Sequence, residues 1–261
     1  MLAIQTPPKG RTRSLEAAAA ADVFLMESIR PHFQPIVASA GQHGVFAYEA
    51  LLRAPNAPAT CDVLFRRWES TGEVVSIDTM MARRVRRAVK RLDAPIAVSV
   101  NVSGLTIALE PDAYLAEIAL LSEDTNFVIV EVTETFPIPD VAALARFADR
   151  CRELGVVLAF DDCSPHHEFC LPSVLAAIRP QIMKIDGNLF IRAFDSGDVA
   201  PLIKVIQAAK SVDAAVVVEH VASGDMCDFA EHLGVEFFQG HFFGSAMPAS
   251  ELRPKSLLAH A

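Results

Sequence analysis

The stretch FVIVEVTETFPIPDVAALARFADRCRELGVVLAFDD, residues 127–162, contains two apolar runs on either side of an amphipathic segment. The runs at 127–132 and 156–160 have the length and composition of buried strands. Between them, residues 141–154 place apolar side chains at helical spacing and end before Gly155. A strand, a helix and a second strand in this order predict two parallel strands joined by a crossover helix.

The same alternation continues in both directions along the chain. Further strands are predicted at HFQPIV 32–37, FAYEALLR 46–53, IAVSVNVS 96–103, IMKID 182–186, AVVVE 215–219 and EFFQG 236–240. Helices are predicted at 64–74, 80–92, 106–122, 201–211 and 223–233. About eight strands in 261 residues predict an α/β fold of the (β/α)₈ TIM-like barrel type. Gly41 and Gly44 would turn the first strand back onto the second as a hairpin, so we expect the first strand to be antiparallel to the rest.

The domain organisation expected from the sequence is simple. Residues 1–13, with Pro7, Pro8 and Gly10, are expected to form a flexible lead, and residues 14–261 a single barrel domain. Ser14 is a plausible N-cap for a first helix that would end near Pro31.

Polar residues end most of the predicted strands. They are Glu49, Asn101, Glu131, Asp161 with Asp162, Lys184 with Asp186, Glu219 and Gln239. The carboxyl ends of barrel strands meet on one rim, so these side chains are expected to converge. Carboxylates are costly to bury unless a cation accompanies them, and oxygen ligands of this kind suit Mg²⁺ or Mn²⁺. The pattern therefore predicts a metal-dependent enzyme.

Composition excludes several classes of protein. The net charge of −9 argues against a surface that binds a nucleic acid polymer. Five scattered cysteines do not form a disulfide framework. The first residues lack a secretory signal, and no apolar segment is long enough to span a membrane. A cytoplasmic protein without a membrane contact is expected.

The ordered motifs resemble the EAL domain family, the phosphodiesterases that hydrolyse cyclic di-GMP to linear pGpG. The signature is Glu49-Ala50-Leu51 within FAYEALLR, and the other matches are HFQPIV, SVNVS, EVTE at 131–134, the aspartate pair, KID at 184–186 and QGHFFG at 239–244. The resemblance covers roughly residues 31–250. It implies a cytoplasmic phosphodiesterase in which water, activated between two Mg²⁺ or Mn²⁺ ions, attacks a phosphorus of cyclic di-GMP.

The resemblance also implies roles for individual residues. Glu49, Asn101, Glu131 and Asp161 resemble the ligands of one metal, and Asp161, Asp162 and Glu219 those of the second. Lys184, Glu219, Gln239 and Asp161 are the expected catalytic residues. Cyclic di-GMP would contact Gln34, Glu49, Leu52, Arg53 and Asp186. Glu134 resembles the residue that anchors the loop after the aspartate pair.

Two stretches depart from the family pattern. Cys163-Ser164-Pro165-His166 stands where F-G-T-G is usual, and Glu219-His220-Val221-Ala222 where E-G-V-E is usual. Because metal sites depend on the groups that support the ligands, activity could be weak or conditional. The alternatives are a cyclic di-GMP receptor or protein-interaction regulator with little turnover, and a barrel lyase that uses one metal. A homodimer and a regulatory protein partner are expected as partners.

Three further features have ordinary structural interpretations beside functional ones. Cys163, His166, His167 and Cys170 suggest zinc, but their spacing is irregular and a surface loop is preferred. The basic run at 83–91 is either a solvated helix face or a docking surface for an acidic partner. Trp68 is expected to pack in the core.

Overall fold

The computed structural model describes residues 25–39, 44–55, 57, 59–133 and 140–253. Its strands are β1 Arg30–Ala38, β2 Val45–Arg53, β3 Val98–Val102, β4 Val128–Val132, β5 Val157–Cys163, β6 Ile182–Ile185, β7 Ala215–Val218, β8 Phe237–Gln239 and β9 Met247–Pro248.

The sheet closes into a barrel of eight strands. Strands β2 to β8 are parallel and follow chain order, and β1 lies between β8 and β2, antiparallel to both. Strand β9 adds a short antiparallel pairing with β1 at His32 and Phe33. The TIM-like barrel with an antiparallel first strand is confirmed. Because β1 and β2 are antiparallel, a hairpin joins them and no crossover helix is needed between them.

The helices cover the outside of the barrel. They are α1 Cys61–Thr71, α2 Val74–Val89, α3 Gly104–Leu109, α4 Pro111–Ser122, α5 Val141–Glu153, α6 Pro172–Ile178, α7 Gly187–Ser196, α8 Ala200–Lys210 and α9 Gly224–His232. The single helix predicted at 106–122 is wrong in detail. It is broken at Glu110, whose φ is −142° and ψ 52°, because the backbone before Pro111 is forced away from helical geometry. Helices α6 and α7 were not predicted.

Alternation along the strands separates two environments. Small and branched side chains that face the barrel axis form an inner apolar layer, composed of Ile36, Ala47, Ala97, Ile129, Ala159, Ile182 and Val217. Their neighbours in the strands point outward into the main core beneath the helices. In β2 to β7, the positions two residues after these, towards the carboxyl rim, are polar. In the antiparallel β1, the rim-side position is Gln34, two residues before Ile36 and paired with Glu49. This register places the charged residues above an apolar floor.

Other expectations from the sequence have mixed outcomes. Trp68, in α1, is 1% exposed and packs in an apolar cluster with residues of α2, as expected. Residues 25–28 are helical, while the expected lead and most of the expected first helix lie outside the described residues. Within the described part of the chain, no helix is both long and apolar enough to cross a membrane.

Candidate metal centre

Lys184 lies at the centre of the barrel rim, with 1% of its side chain exposed. Its Nζ is 3.3 Å from Oε2 of Glu49. It is 2.8 Å from a carboxyl oxygen in each of Glu131, Asp161 and Glu219. One ammonium group therefore faces four carboxyl groups within the part of the barrel that the structure describes. A single positive charge cannot neutralise them, and the excess negative charge is buried.

Neutral polar side chains fix the orientation of these carboxyl groups. Gln239 Nε2 donates to Glu49 Oε2 over 2.7 Å, and Asn101 Nδ2 donates to Glu49 Oε1 over 3.1 Å. The Ser99 hydroxyl donates to Glu131 Oε1. Both oxygens of Glu49 are thus held by side chains from β3 and β8, so this carboxyl group has little freedom to rotate.

A bulge in β5 explains how two adjacent aspartates reach the same site. Phe160 pairs with Met183 and Cys163 with Ile185, so β5 contains one residue more than β6 over this interval. Asp162 adopts a left-handed φ of 46°, a conformation that aspartate tolerates better than most residues. Because of the extra residue, Asp161 and Asp162 both line the cavity instead of alternating across the sheet.

Two overlapping groups of carboxyl oxygens could hold divalent cations. Glu49, Glu131 and Asp161 form one group, and Asp161, Asp162 and Glu219 form the other, with the oxygens of each group within 4.8 Å of one another. Asp161 belongs to both. Asn101 Oδ1 is buried without a hydrogen-bond partner, and it lies beside the first group because its amide nitrogen bonds Glu49. Hard oxygen donors, excess negative charge and an unsatisfied amide oxygen all fit a pair of Mg²⁺ or Mn²⁺ ions.

The pKa shifts of these carboxyl groups reflect their burial first and the repulsion between them second. Burial raises the pKa of Glu131 to about 8 and raises those of Asp161 and Glu219, in each case against the attraction of Lys184. Burial also acts on Glu49, but Lys184, Gln239 and Asn101 outweigh it, so its pKa is lowered. Burial alone would lower the pKa of Lys184, yet the surrounding carboxylates raise it well above its ordinary value. Cations bound here would compete with protons for these oxygens.

A cavity of about 680 Å³ opens above the cluster. Its floor includes Glu49, Asn101, Asp161 and Glu219, and its walls include side chains from α1 and from the loops after β7 and β8. Asn188, His220 and His241 lie on its rim. The volume is in the range of small-molecule sites, so a ligand of a few hundred daltons fits above the carboxyl groups.

The structure brings most of the expected site residues together. Those in or directly around the cluster are Gln34, Glu49, Asn101, Glu131, Asp161, Asp162, Lys184, Glu219 and Gln239. Leu52 is instead buried in the apolar cluster around Trp68, and Leu51 lines the cavity. Arg53 donates to the Leu52 carbonyl, and Asp186 accepts from the backbone amides of Asn188 and Leu189 as the N-cap of α7. Glu134 lies outside the described residues.

Strand alternation could have identified two residues that the sequence analysis missed. Ser99 lies between Ala97 and Asn101 on the inward face of β3, so its contact with Glu131 follows from the period of two. The same period places Leu51, two residues after Glu49, on the cavity side. Asp78 had no such signal, because it comes from α2 and reaches the rim only through the packing of that helix.

The two stretches that depart from the family pattern lie beside the aspartate pair and Glu219. His220 occupies a left-handed φ of 58°, where glycine would be unstrained. His167 Nδ1 accepts from the Phe169 amide, so this histidine caps a short 3₁₀ helix at Glu168–Cys170. Among the described residues, the groups that could hold a metal are carboxylates and do not include the cysteine–histidine loop. Cys163, which the sequence analysis assigned to a surface loop, is instead the buried last residue of β5.

Fold and site together define a TIM-like barrel protein with an acidic cavity suited to divalent cations. Residues 17–246 match the model of the EAL domain. The chain is 26% identical over 232 residues to the bifunctional diguanylate cyclase/cyclic di-GMP phosphodiesterase MucR of Pseudomonas aeruginosa, covering 80% of this chain and 34% of that protein. It spans about a third of the length of the first curated relatives.

Solved structures share the fold. The PaMucR phosphodiesterase in complex with c-di-GMP superposes with a TM-score of 0.74 at 25% identity, covering 87% of this chain and 100% of that one. A manganese and cyclic di-GMP complex of Klebsiella pneumoniae BlrP1 superposes with a TM-score of 0.71 at 21% identity, covering 85% of this chain and 56% of that one. The chain belongs to the EAL domain family.

Proposed function

We propose that this protein is a metal-dependent phosphodiesterase that hydrolyses cyclic di-GMP to linear pGpG. The observation that carries the proposal is the pair of carboxylate groups that share Asp161 beneath an open cavity. A shared ligand is the arrangement that holds two cations close together, and two-metal sites are typical of phosphodiester hydrolysis. Relatives solved with cyclic di-GMP, one of them with manganese, indicate the substrate and cofactor classes.

The residues of this chain have distinct roles in the proposed reaction. Glu49, Asn101, Glu131 and Asp161 would hold one cation, and Asp161, Asp162 and Glu219 the other. The cations would supply positive charge at the scissile phosphate and lower the pKa of the attacking water. Lys184 holds the carboxylates in place from beneath and offsets negative charge that develops during attack. Gln239, whose Oε1 is buried without a partner, is positioned to accept a hydrogen bond from water.

Substrate contacts are proposed along the cavity wall. Gln34 faces the cavity, and its Nε2 donates to the Gly244 carbonyl over 3.1 Å, which fixes its oxygen towards Gln239. Arg53 and Asp186 are retained as proposed substrate contacts, although neither is among the residues that line the cavity. Leu51 takes the lining position expected of Leu52.

The experiment is a turnover assay with purified protein, cyclic di-GMP and Mn²⁺ or Mg²⁺, with pGpG measured by chromatography. Glu49→Gln keeps the size of the side chain but removes charge from the metal cluster, and it should abolish turnover. Glu153→Gln is the matched control, because Glu153 is exposed at the end of α5. Glu153→Gln should be folded and should form as much pGpG as the unaltered protein. If the folded unaltered protein forms no more pGpG than Glu49→Gln, the phosphodiesterase proposal is wrong.

A second candidate is a cyclic di-GMP receptor with little turnover. The observation that favours it is the strained His220 beside Glu219, together with the altered loop after the aspartate pair. Tight cyclic di-GMP binding by calorimetry, without pGpG formation at any cation concentration, would support the receptor instead of the enzyme.

A further inference from the structure

Helix α1 presents three chemically different side chains to the cavity. Asp62, Phe65 and Arg66 follow one another at helical spacing, so they share a face of the helix, and all three line the cavity. Another face of α1 carries Leu64 and Trp68, which are buried in the apolar cluster with residues of α2. The helix is thus anchored by its apolar side, and it offers the cavity a carboxylate, an aromatic ring and a guanidinium group.

The charged groups of this face are not committed to partners in the protein. Arg66 is the single arginine or lysine among the described residues that line the cavity, although several carboxyl groups line it. Within the described part of the chain, the side chains of Asp62 and Arg66 form neither a hydrogen bond nor an ion pair, even with each other. Both are exposed. Their hydrogen-bonding capacity is therefore available to a ligand in the cavity.

The ring of Phe65 is held in place beside these two groups. Phe65 is half-buried and meets Trp68 in a T-shaped contact, with centroids 5.4 Å apart and planes 82° apart. A T-shaped contact covers at most one face of a ring. The Phe65 ring therefore keeps aromatic surface on which a planar base can stack.

We propose that Asp62, Phe65 and Arg66 form a guanine-recognition site, which selects cyclic di-GMP over cyclic dinucleotides that contain adenine. The Asp62 carboxylate accepts hydrogen bonds from guanine N1–H and the N2 amino group, the Arg66 guanidinium donates to O6 and N7, and Phe65 stacks on the purine. Adenine has an amino group in place of O6 and lacks the two donors that Asp62 accepts. The proposal deepens the proposed function, because it takes cyclic di-GMP as the ligand.

The presence of Asp62 favours a base over a phosphate as the partner of Arg66. Residues at this helical spacing have Cβ atoms about 5–6 Å apart, so a phosphate on Arg66 would lie close to the negative charge of Asp62. A guanine carries donors on one edge and acceptors on the next, so it satisfies both side chains together. A phosphate held by cations above the carboxyl cluster leaves the bases of the same ligand to reach the cavity walls, one of which is α1.

Binding of three ligands tests this site: cyclic di-GMP, cyclic di-AMP and the mixed cyclic GMP–AMP. Calorimetry with the full chain in Ca²⁺ measures the affinities, and chromatography of the recovered ligand shows that it is intact. We expect the unaltered protein to bind cyclic di-GMP most tightly and cyclic di-AMP most weakly. Asp62→Asn and Arg66→Gln should each lower the affinity for cyclic di-GMP about ten- to hundredfold, the effect of one lost base contact, and leave that for cyclic di-AMP nearly unchanged.

Two further variants separate base recognition from general effects. Arg67→Gln is the matched control, because Arg67 is the next residue of the same helix, is exposed and is not among the residues that line the cavity. It should leave all three affinities unchanged. Phe65→Leu should weaken the three ligands to a similar extent, since stacking does not distinguish purines. Urea denaturation of each variant checks that it is folded.

The outcomes distinguish this proposal from the proposed function. Equal losses for cyclic di-GMP and cyclic di-AMP in Arg66→Gln would identify a phosphate contact and overturn the guanine site. Equal affinities of the unaltered protein for these two ligands, or no binding of either, would also overturn it. Formation of pGpG in Mn²⁺ is measured separately. Selective binding without pGpG would refute the phosphodiesterase and leave the guanine site standing, whereas pGpG formation with unselective binding would do the reverse.

Discussion

Lys184 is held in place by charge. It is buried among four carboxyl groups that its own charge only partly balances. Lys184→Met would fill similar space but leave those groups without the ammonium. We expect a loss of about 3–5 kcal/mol in the free energy of unfolding at neutral pH with a chelator present. Urea denaturation measures this loss.

A divalent cation should restore part of that stability. The cluster has the ligands for cations, and positive charge from any source relieves the repulsion between its carboxyl groups. Adding Mn²⁺ to Lys184→Met should therefore raise its urea midpoint more than it raises that of the unaltered protein. Equal stability of the two proteins in chelator would contradict the view that Lys184 is the electrostatic centre of the site.

His220 stores backbone strain beside the cavity. A non-glycine residue in the left-handed region costs roughly 1–2 kcal/mol. His220→Gly should thus stabilise the protein by about 1 kcal/mol, measured by thermal or urea denaturation. Arg179→Gly is a matched control, because Arg179 has a φ of 50° at the C-cap of α6, away from the cavity.

The two variants should differ in ligand binding. Arg179→Gly should leave cyclic di-GMP affinity unchanged, while His220→Gly should change it, since His220 lies on the cavity rim. The His220 ring also covers Gly187, where a Cβ would lie 2.3 Å from its Nδ1. Gly187→Ala should therefore be destabilising alone and nearly neutral together with His220→Gly. An additive cost in the double variant would show that the two residues are not in contact.

At the scale of elements, Asp78 joins helix α2 to the end of β3. Its Oδ2 accepts from the Ser103 amide over 2.9 Å and from the Thr106 hydroxyl over 2.6 Å, and the residue is 4% exposed. Burial raises its pKa to about 7, although the two hydrogen bonds lower it. The folded protein therefore holds a proton on Asp78 more tightly than the unfolded chain does.

This shift gives stability a defined dependence on pH. The folded pKa of Asp78 lies above the unfolded value of 3.8. The contribution of this group to the free energy of unfolding is therefore complete below pH 3.8 and is lost as pH rises towards about 7. Asp78→Asn keeps an acceptor for both donors and has no charge to bury. Relative to Asp78→Asn, the unaltered protein should lose up to roughly 4 kcal/mol between pH 4 and pH 8. Parallel pH profiles in urea denaturation would contradict this prediction.

The observed strands and helices show how much of the secondary structure the local sequence patterns predict. Apolar runs predicted every barrel strand from β1 to β8, since parallel strands buried on both faces are apolar almost throughout. Helix α6 escaped prediction because it has only seven residues. Helix α7 escaped because only Asp186 lies between it and β6, so its start was not separated from the strand. The break at Glu110 could have been predicted from Pro111, because the residue before a proline disfavours helical geometry.

At the scale of the whole molecule, cation binding should stabilise the entire barrel. The cluster draws its carboxyl groups from strands β2, β4 and β5 and from the segment after β7, so it ties distant parts of the chain together. Mn²⁺ at a hundred times its dissociation constant should add about 2.7 kcal/mol. Thermal denaturation in Mn²⁺ and in chelator would show the difference. Asp161→Asn, which alters both carboxylate groups, should remove most of it, and Glu153→Gln should not. An identical gain in stability from Mn²⁺ in both variants would show that the cation binds at another site.

The sequence by itself determined the barrel and the list of polar residues on its rim. Both follow from local properties: apolar runs of strand length, helical spacing between them, and a carboxylate, amide or lysine where each run ends. The antiparallel first strand was also predictable from the sequence, because a hairpin needs only two neighbouring apolar runs and a turn.

Tertiary structure alone decided how those residues meet. The contact of Lys184 with four carboxyl groups depends on the register of separate strands, and the joint presentation of Asp161 and Asp162 depends on a bulge that appears only when β5 pairs with β6. Asp78 reaches the rim from a helix. Such contacts join residues far apart in the chain or depend on turns of unusual geometry, so they are properties of packing, which no single segment of sequence contains.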